Sequence, residues 1–206
     1  MNSKEALAKI VSHETIRRLD DFEALLKKWN PAINLISRAD TDRIWPRHIL
    51  DSVQVFNCVQ LPINKWFDFG SGGGFPGIVC AVLCAEKGIE VDLHLVESDT
   101  RKAVFLRQIV GELSLNATVH AKRIEAFDAG KSDVISARAL ASLSELLEMS
   151  YPHSTPQTQY VFPKGRRADQ ELNDAQKRWD MRVERIPSLT DGEATILKLT
   201  GVTPRP

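Results

Sequence analysis

Apolar residues recur along this chain at two different spacings, and the change between them divides it. Ile16, Leu19, Phe22, Leu26 and Trp29 fall three or four apart, which places them on one face of a helix. Ser12 offers an N-cap hydroxyl and Asn30-Pro31 a stop, so this helix is predicted over 12–29. A shorter helix is expected over 3–11. Thr41 to Phe56 reads as mostly helical through Ile44, Ile49, Val53 and Phe56, with Pro46 either breaking it or marking a fresh start.

Beyond residue 65 the rhythm becomes strand and helix in turn. Strands are predicted over 66–69, 91–97, 117–120, 133–137 and 159–162. Helices are predicted over 76–86, 99–113 (Val104, Phe105, Ile109 and Leu113 inward), near 142–150 and near 165–178. Two late strands, about 181–186 and 194–200, have no helical pattern between them and are expected to pair as a hairpin. Strand–helix alternation at this spacing implies right-handed crossovers and an α/β fold: a doubly wound, mainly parallel, Rossmann-like sheet with an N-terminal helical extension. The boundaries are drawn at 1–60 for the extension and 61–206 for the core, one compact unit overall. Such sheets bind ligands at the carboxyl ends of their strands.

One stretch marks that place. Trp66 to Phe69 is followed by Gly70, Gly72, Gly73 and Gly74, then by Phe75, Pro76 and Gly77 at the head of an apolar helix. Glycines let backbone approach a ligand, and a helix N-terminus presents free N–H groups. Two registers fit. Gly72-x-Gly74-x-x-Gly77 matches the dinucleotide fingerprint and suggests an NAD-linked oxidoreductase. Asp68-x-Gly70-x-Gly72-x-Gly74 sets an acid before the glycines, as in S-adenosylmethionine-dependent methyltransferases. A carboxylate suits a cofactor bearing ammonium and sulfonium charges and would repel a pyrophosphate. Asp68 acts there through water or by bonding the loop backbone. Further anchors follow the later strands. Glu97 ends the second strand, where an acid takes ribose hydroxyls. Ile124 and Glu125 follow the third, beside the expected adenine. Arg138 follows the fourth, where it can clamp a carboxylate or meet an acceptor base.

Composition narrows the classes. The 206 residues carry 27 Lys and Arg against 27 Asp and Glu, so a nucleic-acid surface has to be local. No run of about 18 apolar residues is present to span a membrane, and Met1 to Lys9 does not read as a signal peptide. Three cysteines point to a reducing, cytoplasmic setting. Cys80 and Cys84 read as core residues, and no metal site is expected.

Taken together, several blocks resemble one family. They are Trp29-Asn30…Asn34-Leu35, Arg47-His48…Asp51-Ser52, Asp68-x-Gly70-x-Gly72-x-Gly74-Phe75-Pro76-Gly77, Glu125, Arg138-Ala139 and Lys164-Gly165-Arg166. The chain, from about 22 to 200, resembles the bacterial small-subunit ribosomal RNA methyltransferase G family, also called glucose-inhibited division protein B. The resemblance implies a class I S-adenosylmethionine-dependent fold and methyl transfer to N7 of one guanine in 16S rRNA. It implies the small subunit or an assembly intermediate as partner, and cofactor contacts at Gly70, Phe75, Ile124, Glu125 and Arg138. Many members carry Gly-Arg-His where this chain has Gly192-Glu193-Ala194. Guanine N7 has a free lone pair, so no general base is assigned. The RNA candidates are Arg47, His48, Lys164 and Arg166. An Arg47–Asp51 helical pair and a core role for His48 stay open beside them. A monomer is expected. A small-molecule methyltransferase is the alternative enzyme.

Overall fold

The computed structural model describes residues 3–205. The helical extension comprises α1 (Ser3–Leu7), α2 (His13–Ile33) and α3 (Leu50–Asn57). The alternating part then runs β1 (Lys65–Phe69), α4 (Gly77–Glu86), β2 (Asp92–Glu97), α5 (Thr100–Glu112), β3 (Ala117–Ala121), β4 (Ser132–Ala137), α6 (Leu143–Ser150), β5 (Ser154–Lys164) and α7 (Ala168–Ala175). A hairpin of β6 (Trp179–Pro187) and β7 (Thr195–Pro204) closes it. These strands form one seven-stranded sheet in the order 3-2-1-4-5-7-6. β1 to β5 are parallel, and β7 lies antiparallel between β5 and β6. Strand order reverses at β1 and β4, so the crevice for a ligand opens at their carboxyl ends.

Side chains alternate across the sheet and feed two cores. Trp66 belongs to the core under α2 to α5, while Phe67 and Phe69 belong to the core under α6 and α7. α4 is buried on nearly every side, from Gly77 to Cys84, because α2 and α3 cover the flank that the sheet does not. The extension shares that core: Phe22 of α2 packs on Phe75 at 5.1 Å and Trp29 on Phe105 at 5.9 Å. No helix among the described residues is long and apolar enough to cross a membrane.

Several boundaries move. α2 runs through Pro31 to Ile33 instead of stopping at Asn30. Buried Asn30 explains this: its backbone oxygen accepts from Asn34 at 3.0 Å and its side chain from Ile36 at 2.9 Å. Those bonds cap the last turn, and Pro31 removes a single donor. The first helix ends at Leu7, and Ile10 is exposed. The stretch expected to be helical from Thr41 starts as a wide π-type turn at Trp45–Ile49, with Pro46 in its first turn. In α5, Val104 faces solvent, because Phe105, Leu106 and Ile109 define the buried stripe and Val104 lies off it. β5 begins well before residue 159, and α7 is shorter than the charged run suggested.

Candidate active site

The loop after β1 is tied down by backbone donors. Gly70 and Ser71 donate to the Val96 carbonyl at 2.8 and 3.2 Å, which draws the loop against the end of β2. Gly72 donates to Glu97 Oε2 at 2.8 Å, and Asp99 donates to Oε1 of the same carboxylate at 2.7 Å. Glu97 thus bridges the two loops that follow β1 and β2, and each oxygen keeps a lone pair free. Gly70 and Gly72 have φ of 65° and 53°, which side-chain-bearing residues rarely adopt. A cleft of about 470 Å³ opens above them.

Gly70, Gly72, Phe75, Glu97, Ile124, Glu125 and Arg138 all line this cleft. Ile124 is buried against one wall, and Glu125 is exposed at its rim. Asp68 and Gly74 do not line it, which corrects their assignment as cofactor contacts. Asp68 is fully buried beneath the loop and accepts from Ser136 Oγ at 2.6 Å; Ser136 Oγ also takes the Trp66 indole N–H at 2.9 Å. Its second oxygen lacks an aligned hydrogen bond but faces the start of α4, where the Gly77 amide favours its charge. Gly74 turns to the core, where a Cβ would stand 2.8 Å from Ile78 and 3.0 Å from Phe22.

Burial pushes the Asp68 carboxyl up to about 6, against the pull of Ser136, Ser71 and Gly77. Its folded-state value exceeds the ordinary 3.8, so the folded chain keeps a proton that the unfolded chain releases. Stability from this group therefore falls as pH rises from about 4 to 6. Asp68→Asn should remove that slope, worth roughly 3 kcal/mol across the window. Urea melts at pH 4 and pH 7 measure it: the variant should gain on wild type at the higher pH.

The wall opposite Glu97 comes from the extension and from the end of β4. His48 is buried, stacks on the Phe75 ring at 4.9 Å and 25°, and takes an Arg138 Nη2 hydrogen on Nδ1. Arg138 lies over the same ring, 5.6 Å from its centroid. Burial, then the Arg138 charge, depresses the His48 imidazole to about 3, so the ring is neutral at ordinary pH. Arg138 Nη1 is shut away from solvent with no hydrogen-bond partner among the described residues. A buried, unpaired guanidinium nitrogen in a residue that lines a cleft calls for an anion, and the carboxylate of an amino-acid cofactor supplies one.

The candidate RNA cations fare differently. His48 cannot serve as a phosphate-binding cation: burial leaves it an uncharged wall of the cleft. Lys164 is corrected too, because its amine is enclosed, pairs with Glu171 at 2.9 Å and donates to the Ala141 carbonyl at 2.8 Å. Glu171 also accepts from the Leu143 amide, so this pair fastens the segment after Arg138 to α7. Lys164→Ala should lower stability by about 2 kcal/mol through the groups left unpaired. In a thermal melt that is a fall of about 4–8 °C, with the salt dependence of RNA binding unchanged. Arg47 pairs with Asp191 at 2.5 Å, not with Asp51, because the wide turn through residues 45–49 alters helical spacing. Asp51 instead accepts from Ser188 and Thr190. Arg166 is exposed and pairs with Glu193 at 2.6 Å. Sequence reading missed Asp40, Leu140, Lys122 and Arg123, which also line the cleft. Periodicity carried no signal for them, since Asp40 ends a single 3-10 turn and the other three lie in the loops after β3 and β4.

A 3-2-1-4-5-7-6 sheet, a glycine loop after β1 and an acid ending β2 define a class I S-adenosylmethionine-dependent methyltransferase. Solved structures share this fold. A plantazolicin methyltransferase, BpumL, in complex with SAH matches with a TM-score of 0.59 over 90% of this chain and 96% of that one, at 13% identity. A ribosomal protein L11 methylase from Lactobacillus delbrueckii subsp. bulgaricus matches at 0.58, over 74% and 76%, at 15% identity. Sequence goes further. The model of the family "rRNA small subunit methyltransferase G" matches residues 15–197, and the chain belongs to that family. A relative named Ribosomal RNA small subunit methyltransferase G from Cereibacter sphaeroides is 48% identical over 97% of both chains. One of the same name from Rhodospirillum centenum is 47% identical over 95% of this chain and 88% of its own.

Proposed function

We propose that this enzyme transfers a methyl group from S-adenosylmethionine to N7 of one guanine in 16S rRNA, acting as a monomer in the cytoplasm. The observation that carries the choice of nucleophile is that the basic groups of the inner wall, His48, Asp40 and Glu97, are already engaged, while Glu125 stays out at the rim. The His48 Nδ1 lone pair is engaged by Arg138. Ser37 donates to Asp40 and holds its carboxyl below the ordinary range, which makes it a poor proton acceptor. Both oxygens of Glu97 accept backbone amides. Such a site suits a nucleophile that arrives with its lone pair free, as guanine N7 does.

When bound, S-adenosylmethionine supplies a methyl group on a positively charged sulfur, which leaves as a neutral thioether as the N7–carbon bond forms. Arg138 would hold the cofactor carboxylate, Glu97 the ribose hydroxyls, and Ile124 would cover the adenine face. Phe75 and His48 wall off water and hold the approach in line. Positive charge develops on the guanine ring; Asp40 opposes it and neutral His48 adds none. Arg47 and Arg166, each held by an acid of the loop between β6 and β7, lie ready to exchange that acid for RNA phosphate, with Lys122 and Arg123 on the other rim.

Incubating the protein and labelled S-adenosylmethionine with small subunits or 16S rRNA lacking the modification should yield N7-methylguanosine by mass spectrometry. Cofactor binding with no such nucleoside would sink the reading. Size-exclusion chromatography with light scattering tests the monomer.

A further inference from the structure

The wall of the cleft formed by His48 and Asp40 holds a hydrogen-bond donor and an acceptor side by side. Arg138 carries only N–H donors, so its contact makes His48 Nδ1 the acceptor. The ring is neutral, and its one N–H therefore sits on Nε2. That nitrogen is closed off from solvent and has no hydrogen-bond partner among the described residues, in a side chain only 5% exposed that lines the cleft. Asp40 Oδ2 lies 3.8 Å away, too far to satisfy it. Ser37 Oγ, 2.6 Å from Asp40 Oδ2, fixes the carboxylate's orientation, and Arg47 and Arg138 favour its charge. An unsatisfied buried N–H costs free energy that a bound ligand returns.

Guanine carries the complementary pair on adjacent atoms: O6 accepts and N1–H donates. Adenine carries the reverse, an amino donor at position 6 and a lone pair on N1. We infer that His48 and Asp40 select the acceptor base, His48 Nε2–H donating to O6 and Asp40 accepting from N1–H. Both contacts lie on one side of the ring and leave N7, on the other side of O6, free for the methyl group. The inference rests on the guanine-N7 reading above. Adenine in this position sets N–H against N–H and a lone pair against a carboxylate, so the pair repels the wrong base as well as holding the right one. It also leaves the exocyclic N2 of guanine unread.

Base analogues at the mapped target guanine of 16S rRNA test this. Inosine keeps O6 and N1–H but lacks N2, and should be methylated within about threefold of guanosine. 2,6-Diaminopurine keeps N2 and reverses the other two positions, and kcat/KM should fall roughly a hundredfold. Asp40→Asn presents an amide N–H to N1, so its preference for guanosine over 2,6-diaminopurine should shrink by about tenfold or more, with its calorimetric Kd for S-adenosylmethionine unchanged. A thermal melt shows whether the variant is folded; the wild-type analogue series stands without it. Rejection of inosine with acceptance of 2,6-diaminopurine would overturn the inference. So would an unchanged preference in folded Asp40→Asn, or a tenfold weaker cofactor Kd, which would place Asp40 on the cofactor. Failure of wild type to methylate any guanine overturns the reading beneath it instead.

Discussion

Gly77→Ala is expected to destabilise the protein by about 4 kcal/mol, the sum of overpacking and a displaced buried carboxylate, and to abolish cofactor binding. A Cβ at this position would lie 2.3 Å from Leu95 Cδ2 and 2.6 Å from Asp68 Oδ2. Neither neighbour has room to yield. Leu95 is fully buried on β2, and Asp68 is bound to Ser136 in the middle of the sheet. The added methyl has to push α4 away from the sheet, and the glycine loop at the head of α4 moves with it. Thermal unfolding should show a midpoint lower by about 8–16 °C, and calorimetry should show no S-adenosylmethionine binding. Gly72→Ala is the control. Its Cβ would meet only the Gly70 carbonyl, at 3.6 Å, so its cost is the positive φ alone, about 1 kcal/mol. Equal midpoints for the two variants would show that the helix–sheet contact relaxes and that the close approach at Gly77 is not essential.

Arg138→Ala is expected to weaken S-adenosylmethionine at least a hundredfold, the scale of a lost charge-assisted contact in a dry site, while changing the thermal midpoint little. The guanidinium is already unpaired at Nη1, and burial lowers its pKa, so the fold gains little from its charge. Its removal takes away the anion partner and the hydrogen that sets the His48 tautomer. Arg138→Lys should not restore affinity, because an ammonium cannot lie flat over Phe75 and reach His48 and a carboxylate together. Isothermal titration of both variants decides the matter; wild-type affinity in either would mean the carboxylate is held elsewhere.

Much of the cleft was legible because strand ends announce themselves. Glu97 ends one apolar strand, Arg138 follows another and Ile124 lies three residues past β3, and the topology of a doubly wound sheet gathers such positions on one edge. Of the two glycine registers the one opened by Asp68 holds, with Gly70 and Gly72 facing the cleft; the NAD-linked oxidoreductase suggested by the other falls to the family match, and its Gly77 serves the close contact of helix and strand. Asp68 stands at the strand end the motif predicts and acts on the loop, not on a ligand: it is buried beneath the glycines, bound to Ser136 and facing the Gly77 amide. A period of two decides which sheet face a side chain takes, and here that face is covered by α4.

The sequence by itself determined the order of strands and helices, the crossover sheet, the glycine loop and the family. All of these follow from local periodicity and from motifs contained in a few consecutive residues. Only the tertiary structure decided which charges are available. Arg47 meets Asp191 from 144 positions away, Lys164 is consumed by Glu171 under the segment after β4, and His48 loses its charge to burial and to Arg138. Ion pairing and desolvation depend on distance through space and on access to water. Neither quantity is carried by the spacing of residues along the chain.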